Sequence, residues 1–92
     1  MRYLKITIHG KVQGVGFRHW FAQHAQQLNL TGYVQNLDNG DVEAVIVGPL
    51  NEVNDMIKLS MSGPEHAVVN QVFYEDIVDY QAYQFENFQI QK

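Results

Sequence analysis

The apolar residues near the start of the chain first alternate with polar residues and then change their period. In residues 3–9 every second residue is apolar, which is the pattern of a half-buried β-strand. From residue 17 the apolar residues recur at helical spacing, which predicts an amphipathic helix ending near Asn29. The apolar face of this helix is formed by Phe17, Phe21, Ala25 and Leu28.

The rest of the pattern predicts four more elements of secondary structure and a short last strand. Residues 30–36 and 42–47 are expected to form a hairpin, because the Asn39-Gly40 pair between them tolerates the positive φ of a tight turn. A second helix is predicted for residues 50–61, between Gly48-Pro49 and Gly63-Pro64. Residues 67–77 are expected to form a strand with Val69 and Val72 on opposite faces, and residues 85–90 a last strand.

The order βαββαβ followed by a short strand indicates an α+β fold. It is typical of the ferredoxin-like sandwich, in which an antiparallel sheet carries two helices on one face. We therefore expect a single domain over residues 1–92. Because this fold hosts many unrelated functions, it does not by itself predict an activity.

Composition excludes several classes of protein. The chain has no cysteine, which excludes disulfides, thiolate zinc sites and cysteine nucleophiles. No apolar run approaches the roughly 18 residues that span a bilayer. The first residues lack the apolar stretch of a signal peptide, so we expect the protein in the cytoplasm.

Charge is distributed unevenly along the chain. The formal net charge is −4, which disfavours non-specific binding to nucleic acid. Residues 1–37 contribute +4 and contain no Asp or Glu, whereas residues 38–92 contribute −8. The first third of the chain is therefore suited to hold an anion.

A glycine-punctuated loop, Gly10-Lys11-Val12-Gln13-Gly14-Val15-Gly16-Phe17-Arg18, joins the first strand to the first helix. Closely spaced glycines allow backbone N–H groups to face one anion, and the N-terminal end of the helix adds further free N–H groups. The guanidinium of Arg18 can bind two phosphate oxygens at once. An ordinary strand-to-helix turn with a surface arginine is the alternative for such a loop taken alone.

Other ligand sites fit the sequence poorly. No Gly-Lys-Ser/Thr follows the loop as a nucleotide-binding P-loop requires, and His19 stands where the dinucleotide fingerprint has glycine. His19 and His24 are five residues apart, which does not place them on one helical face for zinc. We therefore expect no metal and no cofactor.

Two spaced motifs carry a resemblance to a known family. The run from Gly10 to Arg18 resembles the first signature of the acylphosphatase family. The run Gly32-Tyr33-Val34-Gln35-Asn36, followed by Gly40, Val42 and Gly48, is similar to the second. The resemblance covers essentially the whole chain, and two motifs in the right order are more specific than either alone.

The resemblance implies hydrolysis of the carboxyl-phosphate bond of acyl phosphates. It implies that Arg18 holds the phosphate together with the loop, and that Asn36 positions the attacking water. The phosphate-binding loop would comprise Gln13, Gly14, Val15, Gly16, Phe17 and Arg18. The chain departs from the common family pattern at Tyr33, where tryptophan is frequent, and at Gln35, where a basic residue is common. The second departure would remove a positive charge near the site.

General chemistry agrees with such a site. The leaving carboxylate has a conjugate acid with a pKa near ~4, so it departs without a general acid. A loose transition state for phosphoryl transfer likewise makes little demand on a base. Positioning and charge stabilisation then suffice, without a metal or a covalent intermediate.

Two further classes of function remain open at this point. A non-catalytic phosphate-binding regulatory module would need Arg18 and the loop but not Asn36. An RNA-binding module of similar fold would need a basic and aromatic motif on its central strands, which the sequence lacks. The expected partners are a small acyl phosphate substrate and inorganic phosphate as product. We expect no binding to nucleic acid or membrane, and we expect the protein to be a monomer.

Overall fold

Five strands and two helices form the protein in its computed structural model, which describes residues 1–91. The elements are β1 (Arg2–Lys11), α1 (Phe17–Gln27), β2 (Thr31–Asn36), β3 (Val42–Gly48), α2 (Leu50–Ser62), β4 (Val68–Asp76), a 3₁₀ turn (Tyr80–Ala82) and β5 (Phe88–Ile90). The strands lie side by side in the order β4-β1-β3-β2-β5. The predicted order of strands and helices is confirmed.

The core lies between the sheet and the two helices. Alternate side chains of the strands point toward the helices and are buried, as the alternating pattern of residues 3–9 predicts. The helices contribute the apolar stripes expected from their spacing. Members of this core with no exposed surface are Leu4, Ile6, Ile8, Phe21, Ala25, Val34, Val42, Ala44, Ile46, Val53 and Met56. The predicted ferredoxin-like α+β fold, with two helices on one face of the sheet, is confirmed.

The sheet is mixed because its last strand runs parallel to its neighbour. Strand β1 pairs antiparallel with β3 and β4, and β2 pairs antiparallel with β3. Strand β5 pairs parallel with β2, so that Phe88 lies opposite Gly32 and Ile90 opposite Val34. The antiparallel arrangement expected from the sequence therefore holds for four strands, and β5 begins at Phe88 rather than at Phe85.

The chain crosses the second face of the sheet between β4 and β5. These two strands are the opposite edges of the sheet, so the connecting residues 77–87 must pass from one edge to the other. The ring of Tyr80 lies 5.0 Å from that of Tyr3, and the ring of Phe85 lies 5.9 Å from that of Tyr33. Val45, which points away from the helices, has no exposed surface. The crossing segment thus shields part of the face that the helices leave free.

A β-bulge changes the faces of β4 from those predicted. The register between β1 and β4 shifts between His9 and Gly10, and Asn70 is left out of the pairing. As a result, Val69 and Val72 both pack against the core, although simple alternation places them on opposite faces. The expectation of opposite faces was wrong, because alternation assumes a ladder without insertions.

Both helices are short compared with a membrane span. Helix α1 has 11 residues and α2 has 13, whereas a transmembrane helix needs about 20. Within residues 1–91, no helix combines the length and the apolar character needed to cross a bilayer.

The close approach of β2 and β3 depends on Gly32. Its φ is +135°, and a Cβ atom added there would overlap the backbone carbonyl oxygen of Val45. We predict that Gly32→Ala lowers the free energy of unfolding by about 3 kcal/mol or more, because strain and a backbone clash combine. Urea unfolding measures this.

Gly40→Ala is the matched control for Gly32→Ala. Gly40 also has a positive φ, of +97°, but an added Cβ would meet no atom within 4 Å. The control therefore has the backbone strain without the clash, so its free energy of unfolding should fall by clearly less than that of Gly32→Ala. Equal losses in the two variants would contradict a role for the close approach.

Candidate active site

The loop from β1 to α1 presents backbone donors to open space. Gly14 and Gly16 have φ values of +74° and +76°, which favour glycine, and Gly16 caps the helix without a side-chain hydrogen bond. The N–H groups of residues 14–18 have no hydrogen-bond acceptor within residues 1–91. A Cβ atom added at Gly14 or at Gly16 would meet nothing within 4 Å. Unpaired backbone N–H groups of the loop therefore lie beside an open space next to Gly14 and Gly16.

This open space belongs to a cleft of about 320 Å³ at one end of the sheet. The cleft is bounded by the loop, the first turn of α1, the end of β2 and the end of β5. Its lining residues are Val12, Gly14, Gly16, Phe17, Arg18, His19, Asn36 and Ile90. Arg18 and Asn36, which are 18 positions apart in the sequence, thus lie on the same cleft.

Arg18 is held by the C-terminal segment. It is the second residue of α1, and its side chain is half-buried. Its Nη1 donates to the carbonyl oxygen of Gln91 at 3.0 Å, and the N–H of Gln91 in turn donates to the carbonyl oxygen of Val34 at 2.8 Å. The guanidinium is therefore tied to the end of the chain that also extends the sheet beside β2.

Asn36 carries an acceptor without a partner. It is the last residue of β2 and follows Val34 on the side of the sheet that faces the helices. Its Oδ1 atom is buried and makes no hydrogen bond within residues 1–91. Since buried polar atoms are rarely left unpaired, this acceptor, on a residue that lines the cleft, is suited to a donor from outside the chain.

Two residues assigned to the loop place their side chains elsewhere. The Nε2 atom of Gln13 donates to the carbonyl oxygens of Leu37 and Asp41, both at 2.8 Å. Val15 packs against the hydrophobic core. Neither side chain lines the cleft, so only the backbone of these two residues is available to an anion there.

The cleft also contains residues that the sequence did not assign to the site. Val12 and His19 flank the predicted loop, so their proximity to it was visible in the sequence. Ile90 belongs to β5 and carries no motif signal. Its side chain reaches the cleft only because β5 pairs in parallel with β2.

The two departures from the family pattern lie on the other side of the sheet. The hydroxyl of Tyr33 and the Nε2 of Gln35 both donate to Oε1 of Glu43 at 2.8 Å. Burial, together with the adjacent Glu43 carboxylate, raises the pKa of Tyr33, so its hydroxyl stays a donor. Gln35 does not line the cleft, and its side chain is engaged with Glu43 instead.

Positive charge near the loop is not neutralised by neighbouring carboxylates. Arg2 pairs with Asp76 at 2.8 Å, and Lys5 pairs with Glu43 at 3.5 Å. By contrast, neither Lys11 nor Arg18 has a carboxylate oxygen within 4 Å in the described part of the chain. The loop end of the molecule is therefore electrostatically suited to an anion despite the net charge of −4.

Comparison with known proteins shows that nearly the whole chain resembles one family. A profile of the acylphosphatase family matches residues 4–90. The acylphosphatase of Caldivirga maquilingensis is 47% identical over 81 residues, which cover 84% of this chain and 85% of the relative.

Solved structures agree in fold and in family. The acylphosphatase from Coxiella burnetii superposes with a TM-score of 0.89 at 35% identity, covering 98% of this chain and 92% of that one. The acylphosphatase from Bacillus subtilis gives a TM-score of 0.91 at 28% identity, and the match covers 100% of both chains. From the matched profile, the identity to relatives and the shared structure, the chain belongs to the acylphosphatase family.

Proposed function

We propose that this protein hydrolyses the carboxyl-phosphate bond of acyl phosphates, with the phosphate held by Arg18 and the loop amides and the water positioned by Asn36. Membership in the acylphosphatase family supports the activity. The observation that carries the assignment of residues is the partnerless Oδ1 of Asn36, a residue that lines the same cleft as Arg18.

The phosphate is bound by donors that have no other task. The N–H groups of residues 14–18 are unpaired within the described chain, and the positive end of α1 adds to their attraction for an anion. Arg18 contributes charge and the N–H groups that its bond to Gln91 does not use. Together these groups offset the negative charge on the equatorial oxygens in the transition state.

The water is oriented rather than deprotonated by a strong base. The Oδ1 of Asn36 accepts a hydrogen bond from the water. This bond orients the water so that a lone pair on the water oxygen faces phosphorus, in line with the leaving oxygen. An amide is not a base at neutral pH, but a loose transition state makes only slight use of the nucleophile. The proton of the water is lost late, when the new phosphate oxygen has become acidic.

The leaving group explains why no acid is needed on the opposite side. Cleavage releases a carboxylate, which is stable as an anion at neutral pH. The reaction therefore yields a carboxylate and inorganic phosphate without protonation of the leaving oxygen. His19 also lines the cleft, and this mechanism assigns it no proton transfer.

The proposed substrate is a small-molecule acyl phosphate. A cleft of about 320 Å³ is at the lower end of the usual size for a small-molecule site. The proposed protein is a monomer in the cytoplasm that binds neither nucleic acid nor membrane, and its net charge of −4 disfavours binding to these anionic partners.

Removal of the Arg18 guanidinium should impair both binding and turnover. We predict that Arg18→Ala lowers kcat/KM for a small aromatic acyl phosphate by about 10²–10³-fold and weakens inhibition by inorganic phosphate, because a charged donor is lost. Arg2→Ala is the control, since Arg2 pairs with Asp76 and does not line the cleft. Unchanged phosphate inhibition in Arg18→Ala would refute the assignment.

Removal of the Asn36 carboxamide should impair turnover alone. We predict that Asn36→Ala lowers kcat by about 10²-fold or more and leaves the phosphate inhibition constant nearly unchanged, because the anion is held by other groups. Asn51→Ala, at an exposed position of α2, is the control. A fully active Asn36→Ala protein would end the water-positioning role, and a wild type that binds phosphate without turnover would make the protein a binding module.

Turnover should not depend on a metal ion. Wild-type rates measured with and without a strong chelator are expected to agree, because the proposed charge stabilisation comes from Arg18 and backbone amides. Loss of activity with the chelator, followed by recovery when a divalent cation is added back in excess, would contradict this mechanism.

A further inference from the structure

The side chain of Gln13 connects the phosphate loop to the hairpin that carries Asn36. Gln13 comes directly before Gly14, but its carboxamide turns away from the cleft. Its Nε2 donates to the carbonyl oxygens of Leu37 and Asp41 at 2.8 Å each. A primary amide has two N–H donors, so both are used in this contact.

The two accepting carbonyls close the turn that follows β2. The N–H of Leu37 also donates to the carbonyl of Asp41 at 2.8 Å, and the N–H of Gly40 donates to the carbonyl of Leu37 at 3.2 Å. Leu37 is the residue next to Asn36. Gln13 therefore holds the main chain immediately beyond the proposed water-positioning residue.

The loop needs such a connection because its own backbone is weakly constrained. Two of the three residues after Gln13 are glycines with positive φ, and the N–H groups of residues 14–18 make no hydrogen bond inside the described chain. Among the side chains of residues 12–16, Gln13 is the one that hydrogen-bonds to the hairpin. Val12 and Val15 anchor the loop in the core, and the side chain of Gln13 adds a direct link from the loop to the turn next to Asn36.

We propose that Gln13 is a positioning residue, which sets the distance between the phosphate held by the loop and the water oriented by Asn36. The proposal rests on the proposed function of the same cleft. An in-line attack is sensitive to this distance, and a misplacement of about 1 Å lowers the rate by as much as about 10²-fold. Phosphate binding depends on the loop and Arg18 and is much less sensitive to the hairpin.

The test replaces Gln13 with a residue of similar length that has no donor. Gln13→Met leaves neither carbonyl without a partner, because each still accepts a backbone N–H, so the variant is expected to fold. Gln35→Met is the matched control: Gln35 is also half-buried and donates at 2.8 Å, but to Glu43 on the opposite side of the sheet. Gln13→Glu, which keeps the shape of the side chain, is a second variant.

The expected result separates catalysis from binding. Gln13→Met should lower kcat for a small aromatic acyl phosphate by about tenfold or more, with little change in the inhibition constant of inorganic phosphate. In the Asn36→Ala background the same substitution should lower kcat by less than about twofold, because the residue through which Gln13 acts is gone. Gln35→Met should leave kcat and the phosphate constant at wild-type values.

Several outcomes would overturn the proposal. These are an unchanged kcat in Gln13→Met, a parallel loss of phosphate affinity, or the full tenfold loss again in the Asn36→Ala background. If urea unfolding shows that Gln13→Met and Gln13→Glu are both unfolded, the contact serves the fold as a whole and the proposal is wrong.

A readout besides activity distinguishes this proposal from the proposed function. With inorganic phosphate bound, the NMR resonances of the Asn36 side-chain amide should move in Gln13→Met and not in Gln35→Met. If they stay in place in Gln13→Met, the coupling does not exist, whatever the wild-type activity. If the wild type is inactive but the Asn36 resonances do move in Gln13→Met, the proposed function and the catalytic part of this proposal are both wrong. The coupling between Gln13 and Asn36 would then still stand.

Discussion

The structure depends on the burial of β1 at the centre of the sheet. This strand pairs with both β3 and β4, and its side chains Leu4, Ile6 and Ile8 have no exposed surface. Such a strand needs apolar neighbours on its inner face, and the two helices supply them. Because β1 is fixed from both sides, the loop that follows it starts from a rigid position, and so does the first turn of α1.

The candidate site lies where regular elements end and their polar groups are left over. The start of α1 leaves N–H groups without intrahelical acceptors, and the end of β2 leaves the carboxamide of Asn36 without a partner. A buried acceptor without a partner costs about 1–3 kcal/mol. In the proposed function, an anion and a water at the cleft satisfy these donors and this acceptor together, so the groups that weaken the free protein are the ones suited to the proposed ligand.

Contacts distant in sequence hold these groups in place. The carbonyl of Gln91 accepts a hydrogen bond from Arg18, and the side chain of Gln13 reaches the turn after Asn36. Strand β5 reaches its place beside β2 because residues 77–87 cross the second face of the sheet. The cleft is thus assembled from the first third, the hairpin and the end of the chain, and backbone carbonyl oxygens accept the hydrogen bonds by which Arg18 and Gln13 join these parts.

The sequence by itself determined the elements of the fold and the residues proposed for the site. Periodicity depends on local geometry, so it predicted both helices and the strands of the four-stranded core sheet. The two motifs singled out Arg18 and Asn36, which line one cleft. Only the tertiary structure decided the parallel pairing of β5, the bulge at Asn70 and the contribution of Ile90 to the cleft. It also decided that the side chain of Gln13 points to the hairpin. These features arise from pairing between distant segments, and no local pattern of side chains records which partner a backbone group will find.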